Sequence, residues 1–504
     1  MAETVLERFL PDEAATARLG EDLAMALRAG DAIALKGDLG AGKSTLARAL
    51  IRALADDTSL EVPSPTFTLV QSYETPRVPV HHFDLYRLSS PDELDELGLD
   101  DALLRGAALI EWPERAGNQL PANALEVELA EQGAGRSARI CGQGTAFERT
   151  ARSLAMRDFL ASAGWGEASR RHFVGDASAR SYEIASLPGQ APRVLMNSPR
   201  LVLGPPVRDG KPYAVIAHTA QSVTAFVAID RALLAAGVSV PVIHAQDLDQ
   251  GFLLLEHLGS EGFLGSDGEP IAGRYEAAAE LLAMMHGKAW QDRMVAAPGV
   301  FHDVPPFDRE AMLIEADLLV DWYVPMVTGK PASDALRAGY HKEWNAALDR
   351  LAGQEYTLML RDFHSPNIIW RGERSGLDRL GIVDVQDALI GPAAYDVASL
   401  AMDARVTVSP EIERRTVAAY VAARRRAGAF DRAGFAEAYA IMAAQRNSKI
   451  LGIFVRLEKR DGKPYYLKHL PRIRDYLRRA LSHPALASLK EFYVAHGLLE
   501  ERSP

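Results

Sequence analysis

The sequence predicts two successive folds: an α/β domain built on a parallel-rich sheet, then a bilobal α+β domain. Three observations carry this expectation. Short apolar strands alternate with helical stretches over about the first 146 residues, the grammar of a parallel sheet covered by helices. Beyond that point strands come first and long helices follow, with helices dominating after about residue 390. A length of 504 residues also exceeds what one hydrophobic core serves, so roughly two to four domains are expected.

DAIALKG reads as a strand entering the glycine-rich stretch GDLGAGKST, and KSTLARALIRAL as the helix that leaves it. VPVHHFDLYRL and AALIEWPE are two later strand-and-loop units. NALEVELAEQGAGRSARICGQG reads as a β-hairpin with a glycine-containing turn. FERTARSLAMRDFLASAG is an amphipathic helix that begins something new, which places a boundary near residue 147 and domains at 1–146 and 147–504. VLMNSPRLVL, PVIHAQDL and GFLLLEHLG then read as strands of a mixed lobe. RYEAAAELLAMMHGKAW and DREAMLIEADLLVDWYVPMV read as helices, and no repeat of 20 to 50 residues is visible.

Composition excludes several classes. The 48% hydrophobic and 24% charged fractions, with a mean hydropathy of -0.08, are those of a folded globular chain rather than a disordered one. One cysteine, Cys141, cannot build an intramolecular disulfide framework, and MAETVLERFLPDEAA lacks the basic-then-apolar pattern of a signal peptide. No apolar run approaches the roughly 18 residues needed to span a bilayer, so a reducing cytoplasm is the expected compartment. A net charge of -11 argues against a general phosphate-backbone binder, while leaving room for a local basic patch.

Gly37-x4-Gly42-Lys43-Ser44 satisfies the pattern of a phosphate-binding loop, a Walker A motif, in its proper strand-loop-helix context. Gly37, Gly40 and Gly42 let backbone N–H groups approach phosphate oxygens, and the helix N-terminus, where Thr45 follows, adds its positive dipole end. Lys43 would reach the β- and γ-phosphates of ATP, and Ser44 would ligate Mg²⁺. Hydrolysis also needs a carboxylate for metal or water. Asp84 and Glu111 each follow an apolar run where a strand would deliver them beside the phosphates; alone, such acids are more often solvated or capping residues.

GDLGAGKST, VPSPTFTLV, HHFDLYRL and IEWPE, in that order over roughly residues 1 to 140, resemble the TsaE family, the small ATPases of the bacterial machinery that makes threonylcarbamoyladenosine beside the tRNA anticodon. The resemblance implies that Lys43 and Ser44 handle phosphate and Mg²⁺. It makes Ser64 to Thr68 a switch-like loop and Asp84 and Glu111 the acids serving metal and water, with Trp112 beside the second of them. It also implies two protein partners, the carbamoyl-transferring subunit and its paralogue, with tRNA contacted only indirectly.

The rest of the chain carries a second phosphoryl-transfer signature. In LRDFHSPNIIW and VDVQDA, Asp362, Asn367 and Asp384 occupy in order the places of a base for a hydroxyl proton, an amide for Mg²⁺ and a metal-binding acid after a strand. His364 inside the loop either orients it through backbone hydrogen bonds or takes a chemical role. GDASARSY, with Gly175, Asp176, Ala177, Ser178 and Ala179, has the small residues of a phosphate-covering turn, and Arg180 could supply a cation. Glu256, after GFLLLE, is where an adenine would meet hinge backbone.

GDASARSYE, VLMNSP, GFLLLEHLG, DWYVP, LRDFHSPN, VDVQDA, GPAAYDVASL and QRNSKILGIFVRL resemble the aminoglycoside-phosphotransferase-like kinases, and among them the AmgK branch of anomeric sugar kinases acting on N-acetylmuramate and N-acetylglucosamine in cell-wall recycling. Two positions depart from kinases at large. Leu360 stands where a histidine often opens the catalytic loop, and Met196 stands near the usual strand lysine, which the branch also lacks. Asp321, Trp322 and Tyr323 could line a sugar pocket or simply pack a helix. Arg446 and Lys449, one turn apart, could reach an acidic substrate or lie on a solvated face. Three rivals stay open: an aminoglycoside kinase, a kinase for another metabolite or a protein, and an N-terminal domain that senses nucleotide as an interaction module.

Overall fold

The computed structural model describes residues 4–173 and 180–500. The chain divides into two compact units, Met1–Ser198 with Ile243–His257, and Pro199–Val242 with Leu258–Pro504.

The first unit holds a seven-stranded sheet of β1 (Thr4–Leu10), β2 (Ala32–Lys36), β3 (Val70–Tyr73), β4 (Val80–Asp84), β5 (Ala107–Glu111), β6 (Leu125–Gln132) and β7 (Gly135–Gly142), ordered β1-β7-β6-β2-β5-β4-β3. The central strands β6, β2, β5 and β4 run parallel, as the alternating pattern predicts. The other three are antiparallel additions. AIALK and AALIE are near-continuously apolar because helices and loops cover both faces. On one face α1 (Glu13–Ala26) and α2 (Lys43–Ala55) set Leu19, Leu23, Leu46, Leu50 and Ile51 against Ile33, Leu35 and Leu109. On the other, Phe83, Leu85 and Ile110 pack with Leu94 and Leu99. β6 and β7 form the expected hairpin, turning at Gly133 with φ 61°.

The helix Gly144–Ser162 serves two cores. Phe147 and Leu154 join the core under α1 and α2, while Met156, Phe159 and Leu160 pack beneath a second sheet with Leu195, Phe252 and Leu254. That sheet consists of β8 (Ser169–Phe173), β9 (Ser181–Ser186), β10 (Arg193–Asn197) and the strands Phe252–Glu256 and Ile243–Asp247, all antiparallel. A buried ion network ties the two sheets' supports together. Arg170 on β8 donates to Asp22 Oδ1 on α1 (2.6 Å), to Glu183 Oε2 on β9 (2.6 Å) and to the Ser153 carbonyl (2.9 Å). Arg157 donates to the same Asp22 carboxylate at 2.8 Å.

The second unit is mostly helical. Its short strand pairs, Tyr356–Met359 with Leu389–Pro392 and Ile368–Trp370 with Leu380–Ile382, frame the second candidate site. The helix Arg432–Lys459 crosses the helix Arg309–Leu318 so closely that a Cβ on Gly452 would lie 2.1 Å from the Leu318 carbonyl oxygen.

Candidate active sites

β2 delivers the chain into the glycine loop, and the backbone there requires glycine. Gly37 has φ 135°, and a Cβ on it would sit 2.4 Å from the Leu129 carbonyl oxygen; Gly40 and Gly42 have φ 83° and 106°, and Gly42 caps α2. The Lys43 ammonium donates to the Gly37 and Asp38 carbonyls at 2.6 and 2.9 Å, and lies 3.8 Å from the centre of the Trp112 ring. It is thereby held inside the loop that would wrap phosphate. Burial lowers its pKa, against the opposing pull of Glu111 and Glu114. Thr45 follows on α2, half-buried.

β4 and β5 are in register so that Asp84 pairs with Glu111 across the ladder. The Ser44 hydroxyl donates to Glu111 Oε2 at 3.1 Å, and His82 Nε2 meets Glu111 Oε1 at 3.0 Å. Asp84 Oδ2 accepts from Ser64 (2.9 Å) and Thr66 (3.0 Å), and its Oδ1 from the Tyr86 N–H (3.1 Å). The two acids therefore have separate charges: Glu111 holds the loop serine, and Asp84 holds the Ser64–Thr68 segment. Trp112 adopts φ 59°, an uncommon backbone for a bulky residue, which turns its ring toward Lys43. His82 had escaped the sequence reading. Its signal is position: two residues before Asp84 in a strand, it shares that acid's face.

The second site is a loop pinned from beneath. Asp396, wholly buried in the helix Ala394–Ala401, accepts the Leu360 and Arg361 backbone N–H groups at 2.7 and 2.9 Å. Arg361 takes φ 69°, and Asp362 follows it. The Asn367 side-chain amide donates to the Asp362 carbonyl at 3.0 Å, and the Val383 N–H donates to the Asn367 carbonyl at 3.0 Å, which sets Asp384 (φ 62°) beside them. Asp384 Oδ1 accepts from Gln386 at 3.0 Å. Burial would raise the Asp362 carboxyl, but Lys449, His364, Arg361 and Arg446 together hold it below its ordinary value, so it is poised as a carboxylate. The backbone of His364 helps to shape the loop, its N–H donating to the Asp362 carbonyl and its carbonyl accepting from the Asn367 N–H, whereas ring Nδ1 has no hydrogen-bond partner among the described residues and burial keeps the ring's pKa low.

A second layer of charge lies behind the loop. Glu315, wholly buried, binds Arg361 and accepts from Lys449 Nζ at 2.6 Å. Two cations outweigh burial and depress the Glu315 carboxyl; Lys449, sharing that one carboxylate with Arg361, is left with burial dominant and its pKa lowered. Neither Arg446 nor Lys449 lies on a solvated helix face: both are largely buried. Asp396 and Glu315 were not singled out from sequence, although an acid inside apolar helical runs such as AYDVASLA signals a buried partner.

The remaining candidates are spread more widely. Asp321 is exposed and paired with Arg337 at 2.6 Å, Trp322 is half-buried, and Tyr323 is wholly buried. Met196 is buried within β10 and brings no charge. Arg180 precedes β9, and Glu256 ends its strand opposite Arg193. Asp176 and Ser178, with the rest of their turn, lie outside the described residues.

Both sites offer hard oxygen donors suited to Mg²⁺: the Ser44 hydroxyl with Glu111, and the Asn367 amide with Asp384. Among the described residues no group of three or more His, Cys, Asp or Glu could hold a metal alone. Mg²⁺ that arrives with phosphates needs only one or two protein ligands. Among the described residues, too, no helix is long and apolar enough to cross a membrane.

Comparison with known proteins separates the two sites by family. Residues 10–139 match the family described as threonylcarbamoyl adenosine biosynthesis protein TsaE, and residues 170–430 match the phosphotransferase enzyme family. A tRNA threonylcarbamoyladenosine biosynthesis protein TsaE of Rickettsia conorii is 36% identical over 151 residues, covering 30% of this chain and 85% of the relative. An N-acetylmuramate/N-acetylglucosamine kinase of Caulobacter vibrioides is 33% identical over 364 residues, 70% of this chain and 98% of the relative. Its counterpart in Pseudomonas putida is 30% identical over 344 residues, 67% of this chain and 91% of the relative. The chain thus belongs to two families at once, TsaE in its N-terminal part and, in the remainder, the phosphotransferases that include the N-acetylmuramate/N-acetylglucosamine kinases.

Proposed function

We propose that the chain is a bifunctional cytoplasmic enzyme, with an ATPase at 1–146 that supports threonylcarbamoyladenosine modification of tRNA and a kinase at 147–504 that phosphorylates the anomeric hydroxyl of N-acetylmuramate or N-acetylglucosamine. The observation that carries the kinase reading is the loop tied at both ends, Asn367 to the Asp362 carbonyl and Val383 to Asn367, which keeps a carboxylate, an amide and a second acid on one scaffold. Asp362 accepts the C1 hydroxyl proton as that oxygen bonds to the γ-phosphorus of ATP; the bond to ADP breaks, and ADP leaves with its electron pair. Asn367 and Asp384 hold Mg²⁺, which when bound draws off charge from the transferring group. Asp176, Ser178, Arg180 and Glu256 serve ATP, and Asp321, Trp322 and Tyr323 belong to the sugar side.

In the N-terminal part, the Gly37, Gly40, Gly42 and Thr45 backbone and Lys43 cradle phosphate, Ser44 and Glu111 bind Mg²⁺, and Asp84 with Glu111 orients water. The partners are the carbamoyl-transferring subunit and its paralogue, with tRNA met through them. An aminoglycoside acceptor is a polycation and calls for a markedly acidic pocket, which profiling the acceptors exposes.

The test is Mg·ATP with N-acetylmuramate, N-acetylglucosamine or kanamycin, followed by mass spectrometry of the sugar. An amino sugar gains one phosphate; Asp362→Asn lowers the rate roughly 10²- to 10⁴-fold, and Lys43→Ala leaves it unchanged. Phosphorylated kanamycin with unmodified amino sugars would sink the substrate assignment. For the other half, Lys43→Ala abolishes the ATP turnover that the two partner subunits elicit; equal turnover with and without them would favour a nucleotide-sensing module.

A further inference from the structure

A trough of about 740 Å³ lies between the helices Pro410–Ala427 and Arg432–Lys459, with Met402 and the end of the helix Leu470–Ala480 also lining it. None of its lining residues belongs to the catalytic loop or to the phosphate loop. Each long helix turns one face to it. On the first, Arg414, Val417, Ala418, Val421, Ala422 and Arg425 follow the three- and four-residue steps of a helical stripe. On the second, Arg432, Phe435, Ala436, Tyr439 and Ala440 do the same. The middle of the trough is therefore apolar and walled in part by small alanines, and arginines stand toward its ends.

The charges at those ends are not balanced by the fold. Arg415, Arg424 and Arg426 of the first helix, which do not line the trough, pair with Glu276, Glu355 and Glu280. Among the described residues Arg425 and Arg432 make no side-chain hydrogen bond or ion pair, and Arg414 donates only to the Pro410 carbonyl of its own helix, at 3.3 Å. Among those residues, too, Glu413 is the one acid lining the trough, and it is already met by Arg479 at 2.7 Å and by the Tyr439 hydroxyl at 3.1 Å. A concave, largely apolar surface rimmed by uncompensated cations concentrates positive potential and favours an anionic occupant.

The layout also selects the kind of occupant. Arg414 and Arg425 are eleven residues apart, about 16 Å along the axis, the length of three turns of a second helix laid beside them. A small organic anion would engage one end only. A polynucleotide would set phosphates over the apolar middle as well as the ends. An extended strand would press unpaired backbone N–H and C=O groups onto side chains that cannot bond them, whereas a helix satisfies its own backbone and the alanines let it come close. We propose that the trough is a docking site for an acidic amphipathic helix of a partner protein, its apolar stripe on Val421, Ala422 and Ala436 and its carboxylates at the two arginine ends.

The experiment titrates the full chain into a fluorescein-labelled peptide of about 18 residues, long enough to be helical, with leucines every three or four residues and glutamates near both ends. Its control carries lysine in place of each glutamate. The acidic peptide binds at micromolar chain concentrations and the control does not. Arg425→Glu combined with Arg432→Glu weakens binding roughly 10-fold or more, and so does Ala422→Glu, which sets an acid in the apolar middle. Circular dichroism and urea midpoints matching wild type show that these surface variants fold. Binding that both peptides share, or that the variants leave unaltered, would overturn the proposal, as would no binding of the acidic peptide in that range. Other occupants give their own signatures against it. Anilinonaphthalene sulfonate held at the trough and not displaced by the peptide identifies a small-molecule site, and a wild-type dimer that the same variants dissociate in sedimentation identifies a second copy of the chain.

Discussion

Glu315 is a single buried carboxylate on which two buried cations depend, Arg361 behind the catalytic loop and Lys449. Removing it strands both. Glu315→Gln should destabilise the protein by about 3–5 kcal/mol, read from urea unfolding. The pH dependence follows from its depressed pKa: below its ordinary value near 4.5 the unfolded chain takes up a proton that the folded chain refuses. Its contribution is therefore complete above that pH and is lost as pH falls through the lower folded value. Glu315→Gln should flatten this part of the acid limb, and an unaltered limb would show that other carboxylates govern it. Asp396 plays the matching part for the backbone, because two N–H groups of the loop donate to its carboxylate. Asp396→Ala should lower kcat far more than it raises KM for either substrate, since the loop loses its floor while the pockets remain. A pure KM effect would contradict that role.

Among the elements, two close approaches define what glycine is for. Gly37→Ala forces a methyl onto the Leu129 carbonyl in a backbone that L-residues avoid, so it should abolish nucleotide binding in the N-terminal part while sugar phosphorylation persists. Gly452→Ala drives a methyl into the Leu318 backbone, where two helices cross and neither backbone can yield cheaply. A loss of roughly 1–3 kcal/mol or more is expected, and a variant as stable as wild type would mean that the crossing relaxes. The same helix carries Arg446 and Lys449, so the crossing also sets how far those cations reach toward the loop.

At the scale of the whole molecule, the first compact unit contains more than the phosphate-loop sheet because the helix Gly144–Ser162 has apolar residues in both of its cores. Arg170, whose side chain is inaccessible to solvent, reinforces this by bonding Asp22 of one part and Glu183 of the other. Asp22→Asn should cost on the order of 3–5 kcal/mol, since it leaves Arg157 and Arg170 short of a counter-charge. Cutting the chain at 146/147 should make the 147–504 fragment less stable to urea than the full protein, because Phe147 and Leu154 lose their partners and Arg170 loses Asp22. Equal midpoints would show that the two halves are thermodynamically independent.

What was legible in the sequence was local. The strand, glycine loop and helix from Ala32 to Ala55, the β6–β7 hairpin and the order Asp362, Asn367, Asp384 depend on spacing, turn chemistry and periodicity, which neighbouring residues dictate by themselves. β1 and α1 went unread, since the sheet completes β1 through pairing with β7 and α1 is secured by packing on α2. The sequence by itself assigns no role to His82, Asp396, Glu315 or Asp22; each acquires its role from a partner between 29 and 148 residues away, Glu111, the Leu360–Arg361 backbone, Arg361 with Lys449, and Arg170. Burial is what makes those partnerships matter. A charge excluded from water must be met by another group, and only the folded chain decides which one stands there.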